Sequence, residues 1–258
     1  MFATSAEPPG SPSWPRPGDV LVVPLSLDHA DDVLAGLEPL LSRAERGRAA
    51  RLVPSASRRF VAGRGQLRRL LARIVGDPPE SLAIEAGPAG KPILGGRHAG
   101  RCHFNVSHSR DRCLVVVSAD GPVGIDIECL AATHTPAWAD TIAGSILAAD
   151  EFAAYRLLPA PRRPIAVLEA WVAKEAVLKA TGQGVAAGVR HLALPHPLPR
   201  AALRPGADPI PATFAAVSGT APGGWAVCLL DLDRDHRAAL ACPRPACRLS
   251  LVPGVDAC

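Results

Sequence analysis

Residues Val123 to Glu128 (Val-Gly-Ile-Asp-Ile-Glu) constrain this chain more than any other stretch. Apolar Val123, Ile125 and Ile127 alternate with Gly124, Asp126 and Glu128, the period of two that marks a strand with one buried face. Side chains two apart point the same way, so Asp126 and Glu128 share the other face, their Cα atoms roughly 6.6 Å apart. Two carboxylates that close repel unless something cationic lies between them. Either each has its own basic partner on a solvated face, or both hold one hard metal ion. Mg²⁺ takes such a set: a carboxylate or two, several waters and the oxygens of a phosphate. Gly124 is expected to leave room beside that ion. Asp-x-Glu alone keeps both readings open.

The 258 residues could form one large domain or two small ones, with ample apolar content for a core. A net charge of +4 is too mild to imply nucleic acid. Its distribution says more. From Arg43 to Arg73 there are ten arginines and one acid, Glu45, a basic face suited to phosphates or to an acidic protein. Seven cysteines, an odd number with no Cys-x-x-Cys, point to reduced thiols rather than a disulfide frame or a zinc site. There is no basic and apolar leader and no apolar run near the ~20 residues of a membrane span. The chain is therefore expected to be soluble and cytoplasmic, with no membrane or nucleic-acid partner, and to act as a monomer.

In order along the chain, residues 1–18 read as a loose Pro/Ser/Gly-rich tail and Asp19–Leu25 as a strand. Ser42-x-x-Glu45 has capping-box spacing for a helix that stops before Pro54. A longer helix is predicted from about Ser57 to Val75, ended by Gly76. Short β-like runs follow at Leu82–Glu85, Lys91–Leu94, His103–Val106 and Leu114–Ser118. The turn Ala119-Asp-Gly-Pro122 marks a boundary. After Val123–Glu128, helices are predicted around Leu147–Leu158 and Ile165–Thr181, then strands at His191–Leu194, Thr213–Val217 and Trp225–Leu230. Each half is thus a strand, helices and about three strands. The halves are set at 19–121 and 122–241, and residues 242–258 are expected to be a second flexible tail.

On the helix Ile165–Thr181 the apolar stripe reads Leu168, Trp171, then Leu178, and the residue that fills the gap is Glu175. A carboxylate there costs free energy unless paired or bound to metal. Lys179, four residues on, could pair with it. Alternatively Glu175 completes a three-carboxylate site with Asp126 and Glu128, while Lys174 and Lys179 meet the anion the metal carries.

Gly90-Lys-Pro92, Phe104-Asn-Val-Ser-His-Ser109, Val123–Glu128, and Trp171-Val-Ala-Lys-Glu-Ala-Val-Leu-Lys179 with Thr181-Gly-Gln-Gly184 occur in this order. Together they resemble the 4'-phosphopantetheinyl transferases, in the longer single-chain class of the surfactin-synthetase-activating type, over roughly residues 19 to 231. The chain departs from the family before Glu151, where a Phe-rich segment is usual and Ser145-Ile-Leu-Ala-Ala-Asp150 stands instead. The resemblance implies an α+β fold of two similar halves packed as a pseudo-dimer, with coenzyme A in the cleft between them. It implies Mg²⁺ on Asp126, Glu128 and Glu175. Transfer would be to a serine of an acidic acyl or peptidyl carrier protein, with adenosine 3',5'-bisphosphate released. Glu175, Lys179 and His108 would be catalytic. Arg48, Arg51, Arg64 and His108 would hold the 3'-phosphate, and Lys91, Ser107 and Lys179 other parts of the ligand. Two other readings are a Mg²⁺-dependent phosphodiesterase, which has no need of His108 and Lys91, and a module that binds coenzyme A without turnover.

Overall fold

Alternating apolar residues build two sheets that bury their inner faces against each other and carry helices on their outer faces. The computed structural model describes residues 15–87, 90–131, 133–184, 188–219, 224–243 and 246–253. The first sheet has the order β4 (His103–Ser109), β5 (Arg112–Ser118), β1 (Asp19–Ser26), β12 (Ala246–Leu251), β8 (Ile210–Thr213). The second runs β6 (Gly124–Cys129), β11 (His236–Cys242), β10 (Trp225–Asp231), β7 (Arg200–Ala202), with β9 (Ala215–Val217) also on β10. A hairpin of β2 (Ile84–Ala86) and β3 (Pro92–Leu94) stands apart.

Three apolar cores follow from the alternation. Leu21, Val23, Val115 and Val117 face the helices α1 (Asp31–Leu37), α2 (Arg43–Ala49) and α3 (Pro54–Val75). Val20, Val22, Leu114 and Val116 turn the other way and meet Ile125, Ile127, Cys228 and Leu240 of the second sheet. The far face of that sheet, with Val227, Leu229, Ala239 and Ala241, packs on α4 (Pro136–Ile146) and α6 (Arg163–Thr181), with α5 (Ala149–Arg156) alongside. The molecule is thus two sheet-and-helix halves, the sheets innermost, as the α+β pseudo-dimer reading requires.

The local signals act as their chemistry dictates. Ser42 and Glu45 form a complete capping box on α2. Gly76 and Gly182 adopt left-handed conformations that close α3 and α6. Pro54 opens α3 as its first residue rather than only stopping the helix before it. Pro24 lies inside β1 beyond the last residue paired to β12, Val22, where no ladder hydrogen bond needs its missing N–H.

Several expectations are corrected. Residues 242–258 are not simply a tail: Ala246–Leu251 is a strand set parallel to β1, with Leu249 and Leu251 buried between the sheets. A slot between β1 and β8 offers backbone partners on both sides, which a short segment with few β-formers can use. Since β8 and β12 both join the first sheet, the boundary at 121/122 divides the helices but not the sheets. His191–Leu194 makes only an isolated bridge, Ala193 to Ser218. The helix expected around Leu147–Leu158 is α5, and α4 and α1 are additional. The 1–18 tail lies, up to residue 14, outside the described residues. Among the described residues, no helix is long and apolar enough to cross a membrane.

Candidate active site

Strand β6 carries Asp126 and Glu128 on the face that packs against α6, with Ile125 and Ile127 turned into the inter-sheet core. Gly124 sits on the acidic face for a reason other than making room for an ion. A Cβ there would run into the Ala176 carbonyl and the Ala180 amide, so glycine is what lets the α6 backbone lie directly on the strand. That close approach brings Glu175 and Lys179, on the contact face of α6, down onto Asp126.

The contacts are specific. Lys179 Nζ donates to Asp126 Oδ1 at 2.6 Å and to Ser107 Oγ at 2.8 Å. Ser107 Oγ donates to Asp126 Oδ1 at 2.7 Å and accepts from the Ile127 amide at 3.4 Å. One donor and two acceptor positions of that hydroxyl are therefore filled, and it holds Lys179 and Asp126 rather than standing open to a nucleotide. The sequence offered Glu175 as the partner of Lys179; the fold gives it Asp126, 53 positions away. Lys91 Nζ donates to the carbonyls of Val123 and Lys179, at 3.0 and 2.9 Å, tying the end of α6 to the start of β6. Burial pushes its pKa down to about 8.

Two acid oxygens are left over. Asp126 Oδ2 and Glu175 Oε1 are buried with no hydrogen-bond partner. Desolvation raises the pKa of both side chains. Lys179 opposes that rise at Asp126, whereas the charge of Asp126 adds to it at Glu175. Glu128 acts on Glu175 in the same direction. The three carboxylates thus share one electrostatic neighbourhood. Among the described residues, however, no group of three His, Cys, Asp or Glu side chains is already gathered as a metal cage. Orphaned, buried, hard oxygen donors are the chemistry that a small divalent cation satisfies, so the residues present fit Mg²⁺.

The remaining candidates lie elsewhere. Arg48 and Arg64 both stack on Phe60, their guanidinium carbons 5.0 and 5.8 Å from its ring centre. Burial lowers the pKa of Arg64, the Glu45 carboxylate 3.9 Å away opposes that fall, and the neighbouring charges of Arg48 and Arg68 add to it. Arg51 is exposed on the same segment. Among the described residues none of the three bonds to the carboxylate cluster. His108 is exposed and alternates away from Ser107, on the side of Phe104 and Val106. Arg68, counted in the basic face, is buried and bonds Glu45, Pro79 O and Leu82 O, so its charge is structural. Lys174 is likewise removed from the site: it is fully buried, donating to Glu151 Oε2 at 2.6 Å and Ile146 O at 2.8 Å.

Sequence reasoning missed the roles of Asn105 and Ser109. Both share the Ser107 side of β4 and reach β6: the Ile125 amide donates to Asn105 Oδ1 at 3.0 Å and the Cys129 amide to Ser109 Oγ at 3.0 Å. The available signal was a polar alternation, Asn105-x-Ser107-x-Ser109, with the same period as Asp126-x-Glu128. Gly184 is described, with φ of 69°, whereas residues 185–187 after it are outside the described set.

The family model of the 4'-phosphopantetheinyl transferase superfamily matches residues 122–239, from β6 through most of β11. The 4'-phosphopantetheinyl transferase HetI of Nostoc sp. is 37% identical over 164 residues, 63% of this chain and 68% of HetI. The 4'-phosphopantetheinyl transferase psf-1 of Bacillus pumilus is 32% identical over 167 residues, 64% of this chain and 68% of its own length.

Proposed function

The chain belongs to the 4'-phosphopantetheinyl transferase superfamily, enzymes that move the phosphopantetheine arm of coenzyme A onto carrier proteins, and from that premise we propose how its own residues perform the transfer. The observation that carries the proposal is the pair of orphaned oxygens, Asp126 Oδ2 and Glu175 Oε1, beside the Lys179 ammonium.

Asp126, Glu128 and Glu175 hold Mg²⁺ in this reading. When bound, that ion neutralises charge on the diphosphate of coenzyme A. Lys179 supplies a second positive charge to the same phosphates, fixed in place by Ser107 and by the grip of Lys91 on its carbonyl. Glu175 takes the proton from the serine hydroxyl of the carrier, directly or through a water. The serine oxygen bonds to the phosphorus that carries the pantetheine arm, the P–O bond to the other phosphate breaks, and adenosine 3',5'-bisphosphate departs. Arg48, Arg51, Arg64 and His108 take the 3'-phosphate; the Phe60-mounted arginines are a preassembled cationic pair for it. Lys91 has one N–H beyond its two carbonyl bonds to offer the ligand. The other arginines of α2 and α3 suit the acidic surface of a carrier, and that docking weakens with salt.

The deciding experiment is intact-mass measurement of an apo carrier incubated with this protein, coenzyme A and Mg²⁺, with and without a chelator. The expected result is a gain of one phosphopantetheine that the chelator abolishes. Transfer that persists in chelator removes the metal from the mechanism. Hydrolysis of coenzyme A without any change in the carrier would favour the phosphodiesterase reading.

A further inference from the structure

Strands β4 and β6 are edges of different sheets, and neither is paired to the other in a backbone ladder. An edge strand leaves amides that need acceptors. On β6 those amides belong to Ile125, Ile127 and Cys129, and they are met in strict succession by the side chains of Asn105, Ser107 and Ser109. Three side chains, two residues apart, take the place of the missing strand and join the two halves along one seam.

The two serines do more than accept. Each hydroxyl has a proton to give, and each gives it to the carboxylate one residue before the amide it caps: Ser107 to Asp126 Oδ1 at 2.7 Å, Ser109 to Glu128 Oε2 at 2.8 Å. A carboxylate on a strand has free rotamers; one anchored at a single oxygen by a donor that is itself pinned to the backbone does not. Ser107 is additionally bonded to Lys179, so its removal disturbs several groups at once. Among the described residues Ser109 carries no such second duty in the site.

We propose that Ser109 is a positioning residue: spanning from the Cys129 amide to Glu128 Oε2, its hydroxyl sets the orientation of Glu128 for the cation site. This rests on the reading that Glu128 is a Mg²⁺ ligand. Ser109 lies outside the Lys179 contacts, and through it the ladder has a second role beyond joining the sheets.

The test is calorimetric titration of Mg²⁺ into the complex of the full chain with coenzyme A, run beside the Mg²⁺ dependence of transfer. Ser109→Ala should weaken Mg²⁺ binding and raise the half-saturating Mg²⁺ concentration by about tenfold, the usual consequence of losing a hydrogen bond behind a metal ligand. Ser109→Thr, which keeps the hydroxyl, should restore both, and coenzyme A affinity should hardly move in either variant. Unchanged Mg²⁺ binding in Ser109→Ala, or equal weakening in Ser109→Thr, overturns the positioning role while the metal reading stands. Absence of Mg²⁺ binding by the unmodified protein overturns that reading and this one with it.

Discussion

Helix α6 carries two lysines five residues apart in opposite circumstances. Lys174 is fully buried with its charge paired: Glu151 Oε2 and the Ile146 carbonyl each accept one of its N–H groups, and Glu151 also accepts the amides of Ala148 and Leu194. Lys179 is also paired, yet around it Asp126 Oδ2 and Glu175 Oε1 are left buried with nothing to bond. A satisfied cluster holds elements together; here it pins α5 and the 194 segment to α6. An unsatisfied acidic cluster costs the fold stability, and a ligand is what makes that cost recoverable. In the proposed mechanism it is the incomplete cluster, not the better-bonded one, that carries the chemistry.

The largest effect separating the two should come from Glu175→Gln. Transfer should fall about 10²–10⁴-fold as the general base is lost, with the melting midpoint unchanged or raised because no charge remains to be desolvated. Single-turnover transfer beside a thermal melt checks this; near-normal turnover would break the comparison. Glu151→Ala should do the reverse, costing about 3–5 kcal/mol by stranding the Lys174 ammonium, as read by urea unfolding. Gly124→Ala should cost at least about 1–3 kcal/mol through overpacking and should lower activity with it, since α6 must lift off the strand that it serves.

A smaller effect concerns pH. The carboxyls of Asp126 and Glu175 have folded-state pKa values raised above their unfolded ones. Their contribution to stability is therefore present below the ordinary carboxylate range and lost as pH rises through the folded values. Urea midpoints measured from that range up to neutrality without divalent cations should show a decline that Glu175→Gln reduces. If the decline is identical in the variant, burial of Glu175 is not its source. The smallest effect belongs to Arg58→Ala: its exposed pair with Asp31 lies outside both clusters, and loss should stay within about 1 kcal/mol.

Much of this was readable in the chain. The face shared by Asp126 and Glu128 follows from alternation alone, and Glu175 announces itself by interrupting a stripe. The capping box at Ser42 and the stop at Gly76 are equally local. The strand at Ala246–Leu251 was not readable, because its stability comes from neighbours more than 200 positions away at β1. Gly124 was visible but misread: only the path of α6 shows that its missing Cβ accommodates a helix backbone. The segment before Glu151, where Ser145–Asp150 stands, turns out to carry one Lys174 acceptor, the Ile146 carbonyl, and Glu151 itself supplies the other.

By itself, then, the sequence settled which side chains share a face, because spacing along a strand or helix fixes direction. It could not settle which charge meets which. Lys179 had Glu175 within one helical turn and found Asp126 on a strand, and Lys174 found Glu151 in place of a ligand. Pairing energies depend on distance in space and on exclusion of water, and both came into existence only when the two sheets closed and α6 settled onto β6.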